Sequence, residues 1–268
     1  VQPHLTTQRL PVLYGGLEVL DTRFHQSWRV LPRQPLPGLA RQNVVPLLGQ
    51  ELENAGKHFP IVFSEGDAPV PLALMGLDVG RNVLVDVQSG AFLLPSYAPA
   101  YLRRHPWILA WSGTERNRLS LCFDPTSDIL TPDGEQGQPL FVDGELSVLG
   151  RKILAFCHAF ESAATQTRAF VDTLLQHDLL KDGEVTIRSD LIATSSTYRG
   201  FRIVDGAKLV ALPRDVQRTM VANGTMDWIV AHLSSLEAVD TLYRLGLTHK
   251  PGGDRPHLER TVSIGKRE

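Results

Sequence analysis

The sequence holds two cysteines, three methionines and 7% aromatic residues, and it has no excess of either charge: 27 Lys and Arg stand against 29 Asp and Glu. Each scarcity excludes something. Two cysteines in 268 residues do not make the disulfide framework that staples small secreted domains. Both lie in apolar contexts, Leu121-Cys122-Phe123 and Phe156-Cys157-His158. They read as reduced, poorly reactive thiols that pack as small hydrophobes, a single disulfide being the alternative. A net charge of −2, without a basic stripe, argues against nucleic acid as a partner. No apolar run approaches the roughly 20 residues of a membrane-spanning helix. The opening Val1-Gln2-Pro3-His4-Leu5 is not a basic region leading into an apolar one, so no secretory signal is expected. These absences together predict a soluble, cytoplasmic protein.

The sequence does contain an ordinary globular composition, 43% hydrophobic and 21% charged, enough to build a substantial core. Residues 1–45 are rich in Pro and Gly, with a short strand near residues 28–31 ahead of Pro32, Pro35 and Pro37. A helix is predicted over 47–58, where Leu48, Leu52, Ala55 and Phe59 share a face, and Pro60 ends it. Strands follow at 61–63, 70–77 and 82–87, the last two predicted as a hairpin about Asp78-Val79-Gly80. A short helix at 99–105 lies between prolines, and strands at 107–111 and 119–123 pair. After a long loop with one strand at 140–142, residues 147–180 carry the clearest pattern in the chain. Leu149, Ile153, Phe156, Phe160, Ala163, Thr167, Phe170 and Leu174 recur at three and four, the signature of a long amphipathic helix. A later hairpin is predicted near 201–212 about Asp205-Gly206, then helices at 213–223 and 226–245.

Strands first and helices later predict an α+β fold. A mainly antiparallel or mixed sheet from about residues 61–123, joined by the later hairpin, should pack against the long helix and the C-terminal helices. A single domain over 1–248 is expected, with a subdomain boundary near 145 as the alternative. Residues 249–268 form a charged, Pro/Gly-rich arm, a candidate for oligomer contacts.

Familiar chemistry is missing. There is no phosphate-binding loop, no G-x-G-x-x-G, no G-x-S-x-G elbow and no H-E-x-x-H, and the sequence names no cofactor. His158 and Glu161, three apart on the long helix, could share a metal, but no second pair completes a ligand set, and a solvated helix face is the better reading. The densest stretch is Tyr97-Ala98-Pro99-Ala100-Tyr101-Leu102-Arg103-Arg104-His105-Pro106-Trp107. Prolines stiffen it, two tyrosines lie four apart, and two guanidiniums follow, forks suited to a carboxylate or phosphate. Tyr97, Tyr101, Arg103, Arg104, His105 and Trp107 are therefore ligand-binding candidates. The plainer alternative is internal ion pairing and core packing. Glu51 supports that alternative: on the apolar side of its predicted helix it needs a partner, and Arg103 or Arg104 is expected to supply one.

Several blocks in order resemble the SapC family. Pro46-Leu47-Leu48-Gly49-Gln50-Glu51 and His58-Phe59-Pro60-Ile61-Val62-Phe63 resemble its helix leading into a "yPIVF" strand. Leu74-Met75-Gly76-Leu77 and Asn82-Val83-Leu84-Val85-Asp86 resemble its next block. The Tyr97–Trp107 stretch is similar to its "YiPAyiRryPF" motif, with His105 in place of the usual tyrosine and Trp107 in place of phenylalanine. Thr167-Arg168-Ala169-Phe170, Gly200-Phe201-Arg202-Ile203-Val204-Asp205 and Ala231-His232-Leu233-Ser234-Ser235-Leu236 complete the series. The resemblance supplies no biochemical activity; it implies a partner in peptide or amino-acid handling.

The expected function is a non-catalytic accessory protein that binds a peptide, a protein or a small anion through the Tyr/Arg turn. The alternative is an enzyme or enzyme partner in peptide or amino-acid modification, with a cofactor site that leaves no sequence signature.

Overall fold

The computed structural model describes residues 10–112, 118–132, 135–189, 192–248 and 262–264. The architecture is mixed α+β, with several antiparallel sheets, a long helix and a helical C-terminal segment. The chain divides into two compact units. One comprises Val1–Leu36 and Ala100–Ala163, the other Pro37–Pro99 and Ala164–Glu268.

The second unit is organised by a five-stranded antiparallel sheet in the order Leu180–Asp182, Arg202–Val204, Ile61–Phe63, Pro71–Leu74, Val44–Pro46. Ile61, Val62 and Phe63 are all buried, which is why this strand reads as an unbroken apolar run instead of an alternation. The Thr225–Ser235 helix is tied to the sheet by side chains. Ser235 Oγ accepts from the Ile61 amide at 2.9 Å, and His232 bridges the Ile61 carbonyl and the Val204 amide. Behind Phe63 lies Phe170 of the long helix, 6.2 Å between ring centroids, and Trp228 meets Phe170 edge-on at 5.2 Å.

The first unit is built on a hairpin, Trp107–Ser112 with Arg118–Phe123, extended by Glu18–Val19 along its second strand. Arg29–Val30 pairs on one side with Leu130–Thr131 and on the other with Gln138–Pro139. Trp107, Leu109, Leu121, Phe123, Leu140, Phe141 and Cys157 form its core.

The long helix runs Val148–Gln176. No residue of the predicted stripe is fully exposed: Leu149, Ile153, Phe156 and Phe160 are half-buried, and Ala163, Thr167, Phe170 and Leu174 are buried. Asp178, with φ of 50°, then turns the chain into the Leu180–Asp182 strand.

Several expectations need correction. Residues 61–123 do not form one sheet: the strands at 61–74 and at 107–123 belong to separate sheets. The predicted 47–58 helix is a 3-10 turn, Gly49–Glu51, and one helical turn, Leu52–Ala55. Pro71–Leu74 pairs with Ile61–Phe63 and Val44–Pro46, and not with residues 82–87. Both edges of Pro71–Leu74 are taken by these strands, so none is left for residues 82–87, although the Val83 amide donates to the Met75 carbonyl at 2.9 Å. The Asn82 amide donates to the Ala40 carbonyl at 3.0 Å and its side chain to the Leu39 carbonyl at 3.2 Å. No hairpin forms over 201–212 either. After the Arg202–Val204 strand, the Asp205 carboxylate accepts from the amides of Ala207 and Lys208 and caps a helix, Gly206–Ala211. Within the C-terminal arm, Val262–Ile264 pairs antiparallel with Val185–Ile187. Among the described residues no helix is long and apolar enough to cross a membrane.

Candidate functional site

The short helix Ala100–Arg104 is bracketed by Pro99 and Pro106. Its last carbonyls lack intrahelical donors. Arg33 supplies them: its guanidinium donates to the carbonyls of Leu102 at 2.7 Å, His105 at 3.0 Å and Arg103. A cation is the favourable charge at this end of a helix. One side of the helix faces inward. Tyr101, Leu102 and Arg104 are buried, while Arg103 is exposed. The Tyr101 hydroxyl donates to the Val12 carbonyl at 2.8 Å, and burial pushes its pKa up to about 12.

Arg104 is 5% exposed. Its guanidinium lies 3.9 Å over the Phe160 ring and 5.3 Å from that of Tyr101, and it pairs with the Glu161 carboxylate at 3.3 Å. Its Nε has no hydrogen-bond partner among the described residues. Of the two candidates on the long helix, Glu161 thus pairs with Arg104, and His158 is exposed. Among the described residues no group of three or more His, Cys, Asp or Glu side chains is placed to hold a metal ion.

His105 is turned into the interior. Its ring meets Tyr14 edge-on at 4.9 Å, and its Nε2 stands 3.7 Å from Asp124 Oδ2, beyond hydrogen-bond reach. Asp124 is occupied elsewhere, accepting from the Gly15 amide at 2.7 Å and from the Thr126 amide and hydroxyl at 2.9 and 2.7 Å. Burial lowers the His105 pKa more than Asp124 raises it, so the ring is neutral near pH 7. Trp107 is a core residue whose carbonyl accepts from the Tyr14 hydroxyl at 2.8 Å.

Glu51 and Tyr97 belong to the second unit, where they meet. Glu51 is buried. One carboxylate oxygen accepts from the Leu48 amide at 2.9 Å, closing the turn that Glu51 belongs to, and the other accepts from the Tyr97 hydroxyl at 2.8 Å. The Tyr97 ring stacks on His58 with centroids 6.4 Å apart.

In the first unit the basic turn borders an open cleft of about 250 Å³. Leu31, Trp107, Ile129, Leu149, Ile153 and Phe156 supply apolar walls, and Arg33, Arg103, Arg104 and Lys152 supply positive charge. No carboxylate is among the described residues that line it. The Arg103 guanidinium lies 5.5 Å from the Phe156 ring centroid. Cys157 reaches the wall, but it is a free, buried thiol whose pKa burial raises to about 12, so it presents no thiolate at neutral pH. Cys122 is also free and buried.

The sequence pointed to Arg103, Arg104 and Trp107 of this cleft and missed Arg33 and Lys152. Arg33 gives no local sign, because its role arises from contact with residues about 70 positions away. Lys152 does give one: spaced three from Leu149 and four from Phe156, it interrupts the apolar stripe with a charge.

No curated protein and no solved structure matches this chain. The SapC family model matches residues 20–242, a span that takes in the Arg33-capped helix, the cleft and the Glu51–Tyr97 pair. The chain belongs to the SapC family.

Proposed function

We propose that this SapC-family protein is a non-catalytic binding protein that takes a small organic anion, apolar in its body, into the cleft of the first unit. One observation carries the reading: four cationic side chains and a set of apolar walls share one concavity with no carboxylate among its described lining residues. Small-molecule sites are typically concave and mostly apolar, with a few charged or polar groups that fix orientation. Arg104 and Arg33 are held rigidly by Glu161 and by backbone carbonyls, so their charge is pre-organised at the wall and does not have to be ordered on binding. Lys152 stands at the exposed side, where it can meet a charged head group.

Titration of the protein with 8-anilinonaphthalene-1-sulfonate tests the proposal. Saturable binding at one site is expected, weakened by salt and weakened about tenfold or more by Lys152→Glu, which reverses a charge at an exposed position. Absence of saturable binding, or binding indifferent to both salt and Lys152→Glu, would overturn it.

A further inference from the structure

We infer that the anion taken by the cleft is a carboxylate carried on an apolar body with no ammonium group, as in a fatty acid or an N-acylated or peptide-terminal residue, and not a free amino acid. The inference rests on the anion-binding reading and narrows it to a ligand class.

A free α-amino acid carries an ammonium close to its carboxylate, and a site that accepts it must offer acceptors for that ammonium. The described lining side chains offer none. They are aliphatic, aromatic or cationic, apart from the protonated thiol of Cys157. Backbone carbonyls are the remaining source, and the cluster bordering the cleft is the C-terminal end of the Ala100–Arg104 helix. Such an end ordinarily attracts cations. Here a cation already occupies it: the carbonyls of Leu102, Arg103 and His105 all accept from Arg33. Arg33 thereby converts the acceptor-rich end of a helix into part of a positive wall, and an ammonium placed there meets like charge.

Arg33 directs both terminal nitrogens at carbonyls, and Arg104 directs one at Glu161. They contribute positive potential more than open donors. The Lys152 ammonium makes no ion pair or hydrogen bond with the described residues, so it is placed to meet a carboxylate head group, with Arg103 exposed on the same wall.

Calorimetric titration of the full chain with four probes decides the matter. Decanoate and N-acetyl-L-phenylalanine represent the two sources of the chemistry, a fatty acid and a peptide carboxyl end. L-phenylalanine adds the ammonium, and N-acetyl-L-phenylalanine methyl ester removes the charge. At least one of the two carboxylates is expected to bind ten or more times more tightly than both L-phenylalanine and the ester. Lys152→Gln should weaken that carboxylate about tenfold and leave the ester unchanged, with an unaltered melting temperature. L-Phenylalanine binding as tightly as its N-acetyl derivative overturns the ligand class while the anion-binding reading stands. An ester that matches the acid removes both. Failure of both carboxylates overturns the inference, and the naphthalene sulfonate titration then decides the anion-binding reading on its own.

Discussion

His232 is wholly buried, and both of its ring nitrogens are occupied in a way that fixes its protonation. Nε2 accepts from the Val204 amide at 3.0 Å, so Nδ1 carries the proton and donates to the Ile61 carbonyl at 2.9 Å. A protonated ring would turn Nε2 into a second donor facing an amide. Burial lowers the His232 pKa to about 4, against about 6.5 for an unperturbed histidine. A folded-state pKa below the unfolded one means that stability is fully present above about pH 6.5 and is lost as pH falls toward 4, by about 3 kcal/mol in all. His105, also depressed by burial, acts in the same direction. The urea midpoint should therefore fall between pH 7 and pH 4.5. A His232→Gln variant, less stable at pH 7, should show a visibly shallower fall. An equal pH slope in the two proteins would show that the loss comes from elsewhere.

At the scale of elements, legibility followed the range of the forces involved. The Val148–Gln176 helix was readable because its apolar period is written into 29 consecutive residues. The Ala100–Arg104 helix was readable from its flanking prolines. The two predicted hairpins failed for different reasons. Pro71–Leu74 already has a strand on each edge and leaves residues 82–87 none to join, while Asp205 reads as half of an Asp-Gly turn, yet its carboxylate caps a helix. Which of two uses such a side chain takes depends on what lies in front of it in space. The stripe on the long helix, by contrast, makes a graded prediction. Phe170 is 4% exposed and wedged against Phe63 and Trp228, so Phe170→Ala should cost about 3–5 kcal/mol in equilibrium unfolding. Val148, exposed at the first turn of the same helix, should tolerate alanine within about 0.5 kcal/mol. Comparable costs at both positions would refute the burial pattern.

At the scale of the whole molecule, the sequence offered a basic turn but not the cleft beside it, because Arg33 and Leu31 come from one segment, Trp107 from another and Phe156 from a third. The expected pairing of Glu51 with Arg103 or Arg104 draws on residues of both units and is a matter for a double-mutant cycle. A buried pair should show strong coupling, with about 3–5 kcal/mol lost when one member is removed, whereas an exposed pair should give about 0–1 kcal/mol. Coupling indistinguishable from zero for both arginines would remove the idea. Connectivity makes the last prediction. The chain passes between the units after residues 36, 99 and 163, so neither unit is a continuous segment. Cutting between residues 99 and 100 leaves the first fragment with Val44–Pro46, Ile61–Phe63 and Pro71–Leu74, but without Arg202–Val204, Leu180–Asp182, or the Phe170 and His232 that cover Phe63. Three consecutive buried residues, Ile61, Val62 and Phe63, would then lose most of their cover, each forfeiting about 1.5–3 kcal/mol of burial. The second fragment loses Glu18–Val19 from its hairpin and Arg29–Val30 from between Leu130–Thr131 and Gln138–Pro139. Since a whole domain is stable by only about 5–15 kcal/mol, neither fragment 1–99 nor fragment 100–268 should fold alone. Each should give a collapsed amide proton spectrum and no cooperative melt, and mixing the two should restore both. Cooperative unfolding of either fragment by itself would show that its unit does not depend on the segment it lost.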